Sequence, residues 1–474
     1  MKILLQIFFL LFLPLALLGQ SEQPVTIVGD SLVGKISGGE KIREVIGNVK
    51  ITKGDVLINS DIAVQHIASG NIELKGNVVF TRKGEKLFTE KAFYQSKNNF
   101  LRIDTNFLSV ADGDTLTGAK GSYSKTTDIV TLSGGATLVR SAKKLDAENL
   151  IYFRKENKIV AAGNVHVLDS ASVLSSDSLI YFPDEKLTFA FNNVSVENRK
   201  ENFIVYGDAL IDSGKIKTTE ITGEPLLEKV DSTSESEADT LFVLSEKMKL
   251  VNDSSRILIA SGDVRILRAN LSLAADSSFF DISANSFAAI KTDEFGAPVK
   301  LWFKKNQVSG DSVFVALAKN ELKDVIIKKN ALLVSILDSA HFRFNQISGS
   351  SIKMSFAGGR LMNIFVDGNV LSIYYLYDKK EANGLIKSSS RSALIELDSA
   401  SVAKVKLYGT PNSEYHPENL IGGNEAEFVL PNFRLFNARP KRSEFIGRIL
   451  KSENNLKKLK APGKKYLKKN AKHF

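Results

Sequence analysis

The chain has no cysteine among its 474 residues. That absence excludes disulfides, thiolate metal sites, cysteine nucleophiles and lipoprotein anchoring together. Histidine is scarce. His66, His166, His341, His416 and His473 are the five present, and no two have the i, i+4 or short-loop spacing of a metal centre. Neither a G-x-S-x-G elbow nor a Ser/His/Asp arrangement occurs. "GDSLVGKI" (29–36) comes near a phosphate-binding loop, but Ile36 stands where a hydroxyl should hold Mg²⁺. The expectation is a chain that is not an enzyme, with no cofactor and no metal.

Long apolar runs are also missing, except at the start. "ILLQIFFLLFLPLALLG" follows Met1-Lys2 and ends in polar "QSEQP", which makes residues 1–20 a secretory signal peptide or an uncleaved anchor. An exported chain meets no nucleic acid, so none is expected as a partner. The net charge of +10 is concentrated at the other end. Residues 441–474 hold 12 Lys/Arg and 2 Asp/Glu; removing these from the 63 basic and 53 acidic residues leaves 51 of each. The body is neutral and the tail is basic. In that tail Phe445, Ile449, Leu456 and Leu459 fall on roughly one helical face. Lys457, Lys458, Lys464 and Lys465 are candidates for anionic lipid headgroups, the alternative being a solvated, disordered end.

What is abundant is repetition. Steps of 29 residues reach Asn48, Asn77, Asn106, Gly135, Asn164 and Asn193. A second column in the same phase holds Tyr94, Tyr123, Tyr152 and Tyr181, and a third holds Asp61, Glu90, Ala119, Glu148 and Asp177. Looser anchors continue at Gly223, Gly262, Gly296, Asn330, Gly368-Asn369 and Gly409. Between the columns apolar and polar residues alternate, with turn residues at 97–99, 125–128, 155–158 and 183–186. Each unit is therefore two strands of roughly ten residues, stacked into an all-β, elongated solenoid or folded-over sheet. The expected organisation is a regular repeat region over 21–230, an acidic Ser-rich loop at 231–240, a less regular repeat region over 241–440 and the basic tail at 441–474.

Because the turns are supplied elsewhere, Gly47-Asn48, Gly76-Asn77 and Gly163-Asn164 read as bends within strands, the alternative being a tight turn at each. One and three residues beyond the Asn column, Val49/Ile51, Val78/Phe80, Val165/Val167, Val194/Val196 and Val264/Ile266 should share one face and form a continuous apolar stripe. The acid column is expected to face water with Lys partners from neighbouring rungs. The tyrosines form either a ladder of stacked rings or part of a lipid path.

The recurring "D/E-x-L-x-Y … G-N-V-x-V" unit, as in "DAENLIYFRKENKIVAAGNVHVLDS" (146–170) and "SSDSLIYFPDEKLTFAFNNVSV" (175–196), resembles the OstA-like (organic solvent tolerance, LptA-type) family. The resemblance covers about 29–230 well and 241–435 loosely. It implies a V-shaped, folded β-jellyroll with an apolar interior. It also implies a periplasmic role, shielding lipopolysaccharide acyl chains on the way to the outer membrane. Partners would be lipopolysaccharide or a similar glycolipid and other transport proteins, joined by edge strands or end to end. An exported structural β-solenoid with a self-filled core is the other reading.

Overall fold

The computed structural model describes residues 25–449, apart from 112, 232–238, 254–255, 283, 285, 319–320, 380 and 399–400. The signal segment, most of the acidic loop and Lys457, Lys458, Lys464 and Lys465 lie outside the described residues. The chain divides into two units, 1–128 and 129–474. Each consists of consecutive antiparallel strands, every rung pairing with the next by a hairpin. Among the described residues, helical structure is confined to short segments at Glu418–Ile421, Glu425–Glu427 and 442–449.

Each rung bends once near its middle, and the bend has a local cause. Gly47-Asn48, Gly76-Asn77 and Gly163-Asn164 all lie inside strands, Glu40–Lys53, Asn71–Arg82 and Lys158–Leu168. Both residues of each pair sit in the left-handed region, as at Gly163 (φ 80°) and Asn164 (φ 46°). The ladder slips there, with one extra residue on the bent strand. Asn and Gly are the residues that tolerate this backbone. Consecutive left-handed pairs recur at Gly262-Asp263, Lys329-Asn330 and Gly368-Asn369. In some rungs the bend interrupts the strand altogether. Phe203–Ser213 pairs with Thr218–Thr222 before a break at Gly223 and with Leu226–Asp231 after it.

Bent rungs stack into two walls that face each other across an apolar interior. In the first unit wall 1 ends in the turn at 96–99 and wall 2 in those at 54–55 and 83–84; in the second unit wall 1 ends in the turn at 154–157 and near Arg256, and wall 2 in that at 199–202. In the first unit Val45, Val49, Ile51, Ile58, Ile72, Leu74 and Val78 are at most 1% exposed. In the second unit one apolar cluster runs from Ala190 to Ala393. Burying each such Val, Ile or Leu stabilises the fold by about 1.5–3 kcal/mol.

The second unit has an additional layer. After its last strands the chain turns back and runs along the outer face of wall 2 as a strap, 417–449. Ile421 and Leu430 pack on Leu332, Val334, Phe344, Ile373 and Leu385. Further along, Phe445 packs on Tyr206, Leu226 and Phe242. The sheet holds the strap's backbone by two buried glutamines. Gln346 Nε2 donates to Phe428 O (3.2 Å) and its Oε1 accepts from Leu430 N (2.9 Å). Gln307 does the same with Arg434 O (2.8 Å) and Phe436 N (2.9 Å). The tail expected to begin at 441 is thus anchored in its first turns: Phe445 is fully buried and Arg448 donates to Gly223 O and Glu224 O.

Candidate functional site: an apolar cavity behind a seam

Three members of the acid column serve the bends. Asp61 accepts from Asn77 Nδ2 (3.0 Å), Glu148 from Asn164 Nδ2 (2.5 Å) and Asp177 from Asn193 Nδ2 (2.9 Å). The expected Lys partners are replaced by the Asn sixteen residues on, because the bend brings that amide over the carboxylate. A side chain at the neighbouring Gly would collide with the acid. A Cβ on Gly163 would lie 2.6 Å from Glu148 Oε2 and 2.9 Å from its Cβ. Gly163→Val combines that collision with a β-branched residue at φ 80°, and should cost about 2–4 kcal/mol. Thermal unfolding checks it: the variant melts well below wild type, whereas Ser170→Val in a turn does not.

Three of the four tyrosines in the column are turn ties rather than members of a ring stack. The hydroxyls of Tyr94, Tyr123 and Tyr152 donate to Asn99 (3.1 Å), Asp128 (2.9 Å) and Asn157 (3.0 Å), each the left-handed residue closing the next turn. Burial raises the pKa of Tyr94 and Tyr123, which keeps both hydroxyls protonated as donors. These tyrosines stand at the rim of wall 1, and cations reach them from wall 2. Arg82 Nη1 donates to Tyr123 (2.8 Å) and Arg140 Nη2 to Tyr152 (3.4 Å). Lys53 donates to Ser96 O, Lys125 pairs with Asp55 (3.6 Å), and the Phe80 and Tyr94 rings meet edge-on at 6.5 Å. All of these join one wall's rim to the other's. In each unit the side opposite the bends is a seam that, among the described residues, is closed by side chains.

In the second unit the walls part to leave a cavity of about 580 Å³. This is within the ~300–1,000 Å³ range of small-molecule sites. Its walls are apolar, among them Val205, Leu227, Leu241, Leu250, Leu258 and Phe280. Its rim is charged: Glu201, Lys229, Arg268 and Lys304 come from wall 2, and Arg256, Asp281 and Glu321 from wall 1. Glu201 and Arg256 meet across the seam at 2.6 Å.

Of the ten apolar residues singled out by the repeat, only Val196 and Ile266 line this cavity. Val49, Ile51, Val78, Phe80, Val165, Val194 and Val264 are buried in the packed interior, and Val167 is half-buried. The stripe is present as a face, but neighbouring side chains fill most of the space in front of it. The described histidines form no metal cluster. His66 Nδ1 meets Glu40 (2.9 Å), which raises its pKa, and His166 Nδ1 meets Ser175 Oγ (2.9 Å). Among the described residues no three His, Asp or Glu side chains could hold a metal.

A stack of bent antiparallel rungs, folded into two walls over an apolar interior, defines a repeat β-jellyroll. Within that class, residues 28–168 match the OstA-like protein family. Among solved structures the chain is similar to LptH, the LptA-homologous periplasmic component of the lipopolysaccharide transport device of Pseudomonas aeruginosa. The identity is 13% over 36% of this chain and 83% of that one, with a TM-score of 0.12. No curated protein sequence matches the chain.

Proposed function

We propose that the protein is a non-enzymatic, periplasmic lipid-binding bridge that shields the acyl chains of lipopolysaccharide or a similar glycolipid. The cavity supports this reading most directly, since it offers apolar walls to a chain and a charged rim to a headgroup left in water. Transfer of acyl carbons out of water is favourable by about 0.8 kcal/mol per methylene, enough to hold one chain firmly. The OstA-like segment supports the same class of cargo. Lys457, Lys458, Lys464 and Lys465 would add attraction to an anionic membrane surface.

Other transport proteins would join at the open edges. The strands Ser31–Ser37 and Ser401–Tyr408 each pair on one side only among the described residues, and expose Leu32, Ile36, Val405 and Tyr408.

A self-filled scaffold is the second reading, and the packed interior around Val49, Ile51 and Val78 favours it for the first unit. Photo-crosslinking residues decide between them. Placed at Val196 or Leu241 in cells, they should capture glycolipid, and at Val78 they should capture none. Capture at none of the three positions, with no lipid found by mass spectrometry of the protein purified from native membranes, leaves the scaffold.

A further inference from the structure

The cavity is enclosed in three of the four directions from which a ligand could arrive. Its walls are continuous ladders of paired strands, from Leu187–Asn198 through Glu321–Asp338. Parting a wall would leave buried backbone donors and acceptors unpaired, the costliest kind of opening. Along the stack the interior is plugged on both sides. Towards the C-terminus Phe303 and Phe356 meet edge-on at 5.6 Å, and Val313, Val315, Val325 and Ile327 are at most 1% exposed. Towards the N-terminus Ala190, Val194 and Leu179 are equally buried. The fourth direction is the seam, where no backbone pairing crosses among the described residues and where rim residues of both walls border the cavity.

We infer that an anionic acyl amphiphile loads sideways through this seam, and that Glu201 and Arg256 form its latch. The inference rests on reading the cavity as a lipid site. The two side chains come from turns at the rims of opposite walls, 55 residues apart in sequence. They remain 26% and 36% exposed, so their attraction is screened and holds little free energy. Opening the latch is therefore far easier than parting a ladder. Phe203 lies two residues from Glu201, and Leu258 two residues from Arg256, both on the cavity wall. A chain passing between the latch residues meets apolar surface at once. Its anionic head would stay at the rim, where Arg256 exchanges Glu201 for the ligand beside Lys229, Arg268 and Lys304.

The absence of cysteine makes the test clean. In the full chain, Glu201→Cys with Arg256→Cys is bridged by a short bis-maleimide, and the same double variant treated with N-ethylmaleimide is the unbridged control. Loading of cis-parinaric acid, a fluorescent anionic acyl chain, is followed by stopped flow. The bridged protein should load at least tenfold more slowly than the control. Arg256→Gln should speed both loading and release severalfold while the equilibrium affinity changes less than either rate, which a purely structural role would not produce. Equal rates for bridged and control protein overturn the seam route and leave the cavity reading standing, and failure of the bridge to form overturns the apposition of the rims. If neither protein takes up the probe, and Leu250→Trp changes nothing, the lipid site itself is refuted and the seam route with it.

Discussion

Arg343→Ala should release the strap and cost about 2–4 kcal/mol, because a buried guanidinium that bonds two partly exposed carboxylates is lost. Arg343 is 7% exposed and sits at the wall 2 rim. Its guanidinium reaches Glu418 (2.5 Å) and Glu425 (3.0 Å), both in the strap, and lies over the Tyr375 ring at 5.5 Å. Burial pushes the Tyr375 hydroxyl up to about 12, so it stays neutral beside this cluster. Without Arg343 the two carboxylates are left on an apolar surface without their cation. Limited proteolysis within 417–449 should become rapid in the variant, and cleavage at the wild-type rate would show that the strap does not depend on this contact.

The same cluster fixes a pH dependence. Arg343 is the chief cause holding the Glu418 carboxyl below its ordinary value of 4.5; at Glu425 backbone N–H donation leads and Arg343 adds to it. Carboxyls more acidic when folded contribute stability that is complete above the unfolded value and lost as pH falls through the folded one. Wild-type strap protection should therefore decline below about pH 4.5, and Arg343→Ala should flatten that decline.

Phe445→Ala should be of similar size, about 3–5 kcal/mol for a fully buried aromatic ring. The ring is 0% exposed, stacks on Phe242 at 5.5 Å and fills the space between Tyr206 and Leu226. The wall beneath it is one strand thick. Tyr206, Leu226 and Phe242 face the strap, while their neighbours Val205, Leu227 and Leu241 face the cavity. Loss of the ring should raise amide exchange in 442–449 and in the strands beneath. Ile446→Ala, at a position 39% exposed, should change little. Equal effects from the two variants would mean that the ring is not an anchor.

Some of this was open to reading from the chain alone. The Gly-Asn bend was legible because each of its parts lies within one hairpin: the left-handed pair, and an acid sixteen residues earlier. The turn ties are closer still, five residues from Tyr to Asn or Asp. The strap was not read, although it leaves a trace. "ALLV" at 331–334 is buried at all four positions, and an unbroken apolar run in a strand indicates a sheet covered on both faces. Gln307, Gln346 and Arg343 leave no such trace, because a polar residue in a strand looks the same whether it faces water or a returning chain.

By itself, then, the sequence determined the rung, its bend and its turns. These depend on backbone preferences and on partners a few residues away, and a 29-residue period repeats them visibly. Only the tertiary structure decided which rims meet, as Arg82 with Tyr123 and Glu201 with Arg256, and where the interior is left unfilled. It alone decided that Arg448 returns to Asp208 and Gly223 from more than 200 residues away. Such contacts arise from the summed geometry of many bends, and no local pattern of residues encodes that sum.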